Sequence, residues 1–300
     1  MTYLYPMNRN DFLKLTGLTS LYFMTNSLQS LYQLQGSLAS SPLMPVLFLG
    51  HGSPMNAVEE NIFVQGFRKA AENLPLPQVI LCISAHWYTK GTLITGQANP
   101  PTIHDFGGFP KSLYEVQYPA PGQPQFAAEL KELIQPTIAS LDDHWGFDHG
   151  AWSVIKHLYP KANIPMIQMS IDYQLSPAQH LELAQQLKSL RKKGVLVVGS
   201  GNIIHNLGLV DFSKINEVGF GFDWAQEAHG FFNQWIHDRN VKELTGISKG
   251  NRSIQLSIPT PEHYLPLLYS IAMTEESEAP QLFNDHLLAG SLSMTSVRWG

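Results

Sequence analysis

Four short apolar runs punctuate the chain, and each breaks off into small or polar residues. Val46-Leu47-Phe48-Leu49 runs into Gly50-His51-Gly52-Ser53-Pro54, and residues 79–84 run into Ala85-His86-Trp87. Residues 164–171 end at Asp172, and residues 195–198 end at Gly199-Ser200-Gly201-Asn202. Runs this short, rich in Val, Ile and Leu and bounded by turn formers, read as buried strands. Helix-like segments lie between and around them, at 57–73, 125–133, 152–158 and 176–193, the last opened by Ser176-Pro177. The alternation predicts an α/β fold with a mixed or mainly parallel β-sheet flanked by helices, and no second linker divides the body. In such sheets polar sites gather where the carboxyl ends of strands open into loops. His51, His86 and residues 199–205 fall there.

Composition narrows the function classes. Charged residues make up 14% of the 300 residues, against roughly 25% for an average globular protein, so the surface carries few charges. Nineteen bases against twenty-four acids leave a net charge of -5, and Arg191-Lys192-Lys193 is the one basic cluster. Phosphate-backbone binding needs more than that, which excludes nucleic acid as a partner. The single cysteine, Cys82, lies inside an apolar run. It excludes an intramolecular disulfide framework and a multi-thiolate zinc site, and predicts a buried, inert thiol. Thr, Ser, Asn or Gln interrupts every apolar run before it reaches about 20 residues, so no membrane span is expected.

Residues 15–58 carry no Asp, Glu, Lys or Arg, and Arg9 and Lys14 precede them. Asn8-Arg9-Asn10-Asp11-Phe12-Leu13-Lys14 is similar to a twin-arginine export signal with Asn10 in place of the second arginine. The competing reading is an added helix, with Leu15, Leu18, Leu21 and Tyr22 on one face, packed on the body. A boundary near residue 40 thus separates an N-terminal extension, residues 1–40, from the body of the chain, residues 44–300. The expected location is cytoplasmic, with export to the periplasm as the alternative.

Twelve histidines are a surplus for this length. His51 and His86 follow apolar strands and sit beside small residues, where an imidazole is exposed and positionable as a metal ligand. His205 follows a glycine-bearing turn near the same rim. His263 lies in Thr260-Pro261-Glu262-His263, where threonine caps a helix with proline at its first position. Successive helix residues point about 100° apart, so Glu262 and His263 do not share one ion, and His263 is the preferred ligand. His149 opens a helix-like run among aromatic residues, which suits a planar aromatic ligand. His104 is a weaker candidate and Asp105 reads as a turn former. The other six histidines read as surface or packing residues.

Six motifs together resemble one family. They are Gly50-His51-Gly52-Ser53-Pro54-Met55, Ser84-Ala85-His86-Trp87, the run from Thr102-Ile103-His104-Asp105 to Pro110, Trp145-Gly146-Phe147-Asp148-His149-Gly150, Gly201-Asn202-Ile203-Ile204-His205-Asn206, and Thr260-Pro261-Glu262-His263-Tyr264-Leu265-Pro266. From about Met44 to Gly300 the chain resembles LigB-type class III extradiol ring-cleavage dioxygenases, in the 4,5-DOPA branch. The resemblance implies one divalent metal ion on His51, His86 and His263, with His205 as the base and close enough to count as a fourth ligand. It also implies His149 as a catalytic residue at the substrate pocket, Fe(II) for activity or Zn(II) as bound, and a catechol such as DOPA with O2 as substrates. The alternatives are a zinc-dependent hydrolase using the same histidines, and a binding protein that keeps only the fold.

Overall fold

A computed structural model describes residues 38–249 and 251–300. Both readings of the N-terminal segment fall on residues 1–37, outside the described residues. The central sheet contains β1 (Val46–Gly50), β2 (Val79–Ser84), β3 (Met166–Gln168), β4 (Val195–Gly201), β5 (Gln281–Phe283) and β6 (Ser296–Trp299). Its order is β3-β2-β4-β1-β6-β5. The first four strands pair in parallel, β6 pairs antiparallel with β1 and β5 antiparallel with β6, in the register Val46↔Val197 and Ile80↔Leu196 about β4. This is the mixed, mainly parallel sheet the sequence predicts.

Side-chain alternation along these strands divides the core in two. Val46, Phe48, Val79, Leu81, Val195 and Val197 face one cluster, and Leu47, Leu49, Ile80, Cys82, Leu196 and Val198 the other. The helices that cover them are α1 (Ile62–Ala71), α2 (Pro124–Leu133), α3 (His149–Leu158), α4 (Pro177–Gln186), α5 (Asp223–His237) and α6 (Leu265–Ala272). Helices α4, α5 and α6 contribute to the first cluster, and α1 and α3 to the second. Cys82 is fully buried and its thiol is pushed up in pKa by burial and then by Asp148, so it stays protonated. No helix among the described residues is long and apolar enough to cross a membrane.

Several boundaries differ from the expected ones for local reasons. The first helix starts at Ile62 because the Asn61 side chain caps it, accepting from the N–H groups of Phe63 and Val64. The 176–193 segment opens with a capping box between Ser176 and Gln179, but α4 ends at Gln186 and a short 3-10 helix finishes it. Strand β4 runs on to Gly201 instead of stopping at Val198. Its glycines are what α6 needs: a Cβ on Gly199 would stand 2.4 Å from the Pro266 carbonyl oxygen. Helix α6 is apolar nearly all round and buried, as a helix wedged against a sheet must be.

Within the one basic cluster Arg191 turns inward, while Lys192 stays exposed. Arg191 is fully buried. Its Nε donates to the Met44 carbonyl (2.6 Å), and Nη1 donates to Met273 O (3.0 Å) and to Glu278 Oε2 (2.7 Å). Burial raises the Glu278 carboxyl, but the Arg191 bond and the Glu275 N–H outweigh it, leaving the pKa below its ordinary value. Removing one member of a buried pair strands the other, so Arg191→Ala is expected to cost about 3–5 kcal/mol in denaturant unfolding at neutral pH. A carboxylate with a depressed pKa stabilises the fold above its ordinary value and loses that contribution as pH falls through the lower one. The gap between wild type and Arg191→Ala should therefore narrow below about pH 4. A gap that stays constant through acid pH would show that Glu278 is not the partner that matters.

Candidate active site

The carboxyl end of β4 organises three histidines on three different segments. His51, next after β1, donates its N–H to the Gly201 carbonyl (3.0 Å). Ala85, next after β2 and just before His86, donates to the Ser200 carbonyl (2.9 Å). Asn202 N–H donates to the carbonyl of His263 (2.9 Å), which draws the turn ahead of α6 onto the strand end. That approach requires a glycine, because a Cβ on Gly201 would lie 2.1 Å from the His263 carbonyl oxygen. The obstacle is backbone and has no rotamer to yield. Gly201→Ala is expected to cost about 1–3 kcal/mol in denaturant unfolding and to weaken metal binding by moving His263. Wild-type stability together with wild-type metal affinity would contradict this account of the turn.

His263 is not inside a helix that starts at Pro261. It sits in a turn, with Leu265 N–H bonded to Pro261 O (3.0 Å), and α6 begins at Leu265. The Thr260 hydroxyl does not cap; it donates to Glu262 Oε1 (2.8 Å). The same carboxylate oxygen lies 3.2 Å from His263 Nδ1. Burial raises the Glu262 carboxyl, yet these hydrogen bonds bring it down to about 2. Glu262 is thus an ionised acceptor behind His263, which leaves the Nε2 of that ring for the site.

The tautomer of His51 follows from its partner. Ser200 has one hydroxyl proton and donates it to the Gly150 carbonyl, so it accepts from His51 Nδ1 at 3.1 Å. The Nε2 of His51 then carries a lone pair, directed at His86 Nε2 only 3.2 Å away. His86 Nδ1 lies 3.4 Å from Asp105 Oδ2. The carboxylate beside Nδ1 favours the proton there, and at 3.2 Å the two Nε2 atoms are close enough to share a proton or to hold one cation between them. Burial, and then the neighbouring imidazoles, hold both His51 and His86 well below the ordinary histidine pKa. Both rings are neutral donors at physiological pH.

Ring spacing distinguishes the members of the cluster. Three imidazoles bound to one tetrahedral ion at a nitrogen–metal distance of about 2 Å have ring centres ~5 Å apart. The ring centres of His51, His86 and His263 are 5.0, 5.3 and 5.0 Å apart. The residues present therefore fit one metal ion. His149 lies 3.8 Å from His86, and His205 stacks on His263 at 3.6 Å and 12°. Those separations are too short for tetrahedral angles about a shared ion, although the donor atoms of His51, His86 and His149 do lie within 4.8 Å of one another, as do those of His205, Glu262 and His263.

His205 is pinned on its loop. Its N–H donates to Ser257 O (2.9 Å), and Ser293 N–H donates to Ile204 O (3.0 Å). Burial, then His263, push its pKa down to about 3. His149 is the first residue of α3, whose N-cap Asp148 accepts from Ala151 N–H and is itself held by Ser84 Oγ (2.6 Å) and Gln168 Nε2 (2.6 Å). Phe106 meets the His149 ring edge-on at 5.4 Å and 82°, and Trp152 stands 6.2 Å from Phe106. An aromatic wall thus borders the histidines. His104 is tied to the Val116 carbonyl (3.0 Å) and faces away from the cluster.

The LigB family model, described as the catalytic LigB subunit of aromatic ring-opening dioxygenase, matches residues 44–293. The chain belongs to the LigB family. The 4,5-DOPA dioxygenase extradiol of Escherichia coli K12 is 42% identical over 275 residues, 87% of this chain and 96% of that protein. The Beta vulgaris protein of the same name is 30% identical, over 84% of this chain and 95% of its own length. The crystal structure of an uncharacterized Escherichia coli K12 protein superposes with a TM-score of 0.73 at 39% identity, covering 86% of this chain and all of that one. These LigB relatives bear out both the α/β fold and the reading as an extradiol ring-cleavage dioxygenase, and they do not favour the zinc hydrolase.

Two members of this LigB site were missed in the sequence. Asp105 is not merely a turn former: Oδ2 stands 3.0 Å from His149 Nδ1 as well as 3.4 Å from His86 Nδ1. Burial raises its carboxyl, but the His149 interactions outweigh it and keep it below the ordinary aspartate value. Ser200 sets the tautomer of His51. The signal for both was adjacency: an acid beside a histidine in a breaker-rich loop, and a hydroxyl at the end of the strand that carries His205.

Proposed function

We propose that the chain opens a catechol of the DOPA class by extradiol cleavage, with residues 44–300 as the catalytic unit and one metal ion held by His51, His86 and His263. The observation that carries this reading is the near-equilateral triangle of those three rings beside a fourth, stacked imidazole. Fe(II), when bound, supplies a Lewis-acidic, redox-active centre at which catechol oxygens and O2 meet, whereas Zn(II) suits the same imidazoles but has no redox couple.

The rest of the chemistry belongs to this chain's own side chains. A ring nitrogen of His205 takes the catechol hydroxyl proton, since the ring stands beside the triangle, stacked on His263 and outside it. His149, at the start of α3, orients the reacting oxygens by hydrogen bonding. Phe106, edge-on to His149 and backed by the buried Trp152, borders the approach on the His149 side and keeps water away from the opened ring. With Arg191 buried, the one basic cluster presents only Lys192 and Lys193 to a nucleic acid, and Asn10 in place of a second arginine supports a cytoplasmic location.

Anaerobic reconstitution with Fe(II) or Zn(II), followed by admission of O2 to L-DOPA or simple catechols, tests the proposal. The iron form is expected to consume O2 and form a yellow ring-opened product, and the zinc form to do neither. Metal bound stoichiometrically with no O2 uptake from any catechol would overturn it.

A further inference from the structure

One carboxylate meets two histidines from different elements. Asp105 Oδ1 accepts the backbone N–H of His149 at 2.8 Å. Its Oδ2 lies 3.0 Å from His149 Nδ1 and 3.4 Å from His86 Nδ1. On both rings Nδ1 is the nitrogen nearest Asp105, an ion-pair approach in which His149 Nδ1 makes no hydrogen bond, and the Nε2 of His86 is the atom that faces His51. The loop around Asp105 is built to hold it. Ile103 donates its N–H to Phe147 O (2.8 Å) and its carbonyl accepts from Trp152 Nε1 (2.9 Å), while Phe106 packs on His149.

We propose that Asp105 is a positioning residue that couples His86 on the metal side to His149 on the substrate side, setting the tautomer and the orientation of both rings. A carboxylate behind a ligating histidine fixes which nitrogen carries the proton and raises ligand basicity. Here the same group also fixes the histidine that addresses the substrate, so binding and turnover share one anchor. The inference rests on the roles proposed above for His86 and His149. An asparagine in its place keeps the shape but has a single acceptor oxygen for contacts that two oxygens now divide.

The test compares wild type, D105N, D105E, H149Q and the D105N/H149Q double variant. Metal affinity is measured by competition with a chromophoric chelator, and kcat and KM with L-DOPA on the iron-loaded proteins. D105N is expected to bind metal about 10–100-fold more weakly. When saturated with iron it is expected to lose about tenfold or more in kcat with KM within about threefold, the mark of an interaction made in turnover. D105E should recover part of both losses. The double variant should be no slower than H149Q, because Asp105 acts on turnover through His149. Unchanged metal affinity, or kcat losses that multiply in full in the double variant, would overturn the coupling. A D105N protein without the wild-type circular dichroism and unfolding midpoint would make Asp105 a fold residue and overturn it too. If wild type opens no catechol, the functional reading fails, while the chelator competition still decides how Asp105 acts on His86.

Discussion

Replacing His205 with alanine is expected to lower kcat for catechol opening by about 10²–10⁴-fold, the usual range for a lost general base, while one metal ion per chain stays bound. The expectation comes from two features. His205 lies flat against His263 at 3.6 Å, outside the triangle whose sides are 5.0 to 5.3 Å. It is also pinned by backbone hydrogen bonds to Ser257 and, through Ile204, to Ser293, so its ring needs no metal to stay in place. Elemental analysis and oxygen-electrode kinetics on the same preparation separate the roles. Retained metal with lost turnover marks a base; loss of metal together with turnover would make His205 a fourth ligand.

His51→Ala should have the larger effect, removing both metal and activity. His51 is 1% exposed and its ring packs among those of His86, His149 and His263, at the centre of the cluster. One ligand's share of a typical binding free energy corresponds to about a hundredfold or more in metal affinity. The substitution also removes the donor that faces Ser200 and leaves a cavity at the sheet edge, with an expected stability cost of about 1–3 kcal/mol. Chelator competition, elemental analysis and denaturant unfolding read these effects separately. A variant that still binds metal as tightly as wild type would remove His51 from the ligand set.

The parts of the fold that were legible in the sequence are those governed by local pattern. Buried strands such as Val79–Ser84 are continuous apolar runs, and capped helices such as Pro177–Gln186 announce their first residues. What was not legible depends on contacts between distant segments. Strand β4 continues through three residues, two of them glycines, because α6 and His263 cross it, and no local rule contains that crossing. Arg191 reads as part of a surface cluster until Met44, Met273 and Glu278 surround it. The candidate site divides the same way. His51, His86, His149, His205 and His263 could be picked from their places at strand ends, a glycine-bearing turn and helix starts. For Asp105 and Ser200 adjacency was the one signal, because their roles take shape only where β1, β2, β4 and α3 converge. Glu262, discounted as a ligand, lies against the ring nitrogen of His263 beside it.

The most direct test of the central claim is the balance between O2 consumed and catechol converted by the iron-loaded protein, with the product mass measured in the same reaction. The account predicts one O2 taken up per catechol and a product heavier than its substrate by the mass of that O2, with no peroxide released. A product lighter than the catechol by two hydrogens, a quinone formed with release of peroxide, would contradict it.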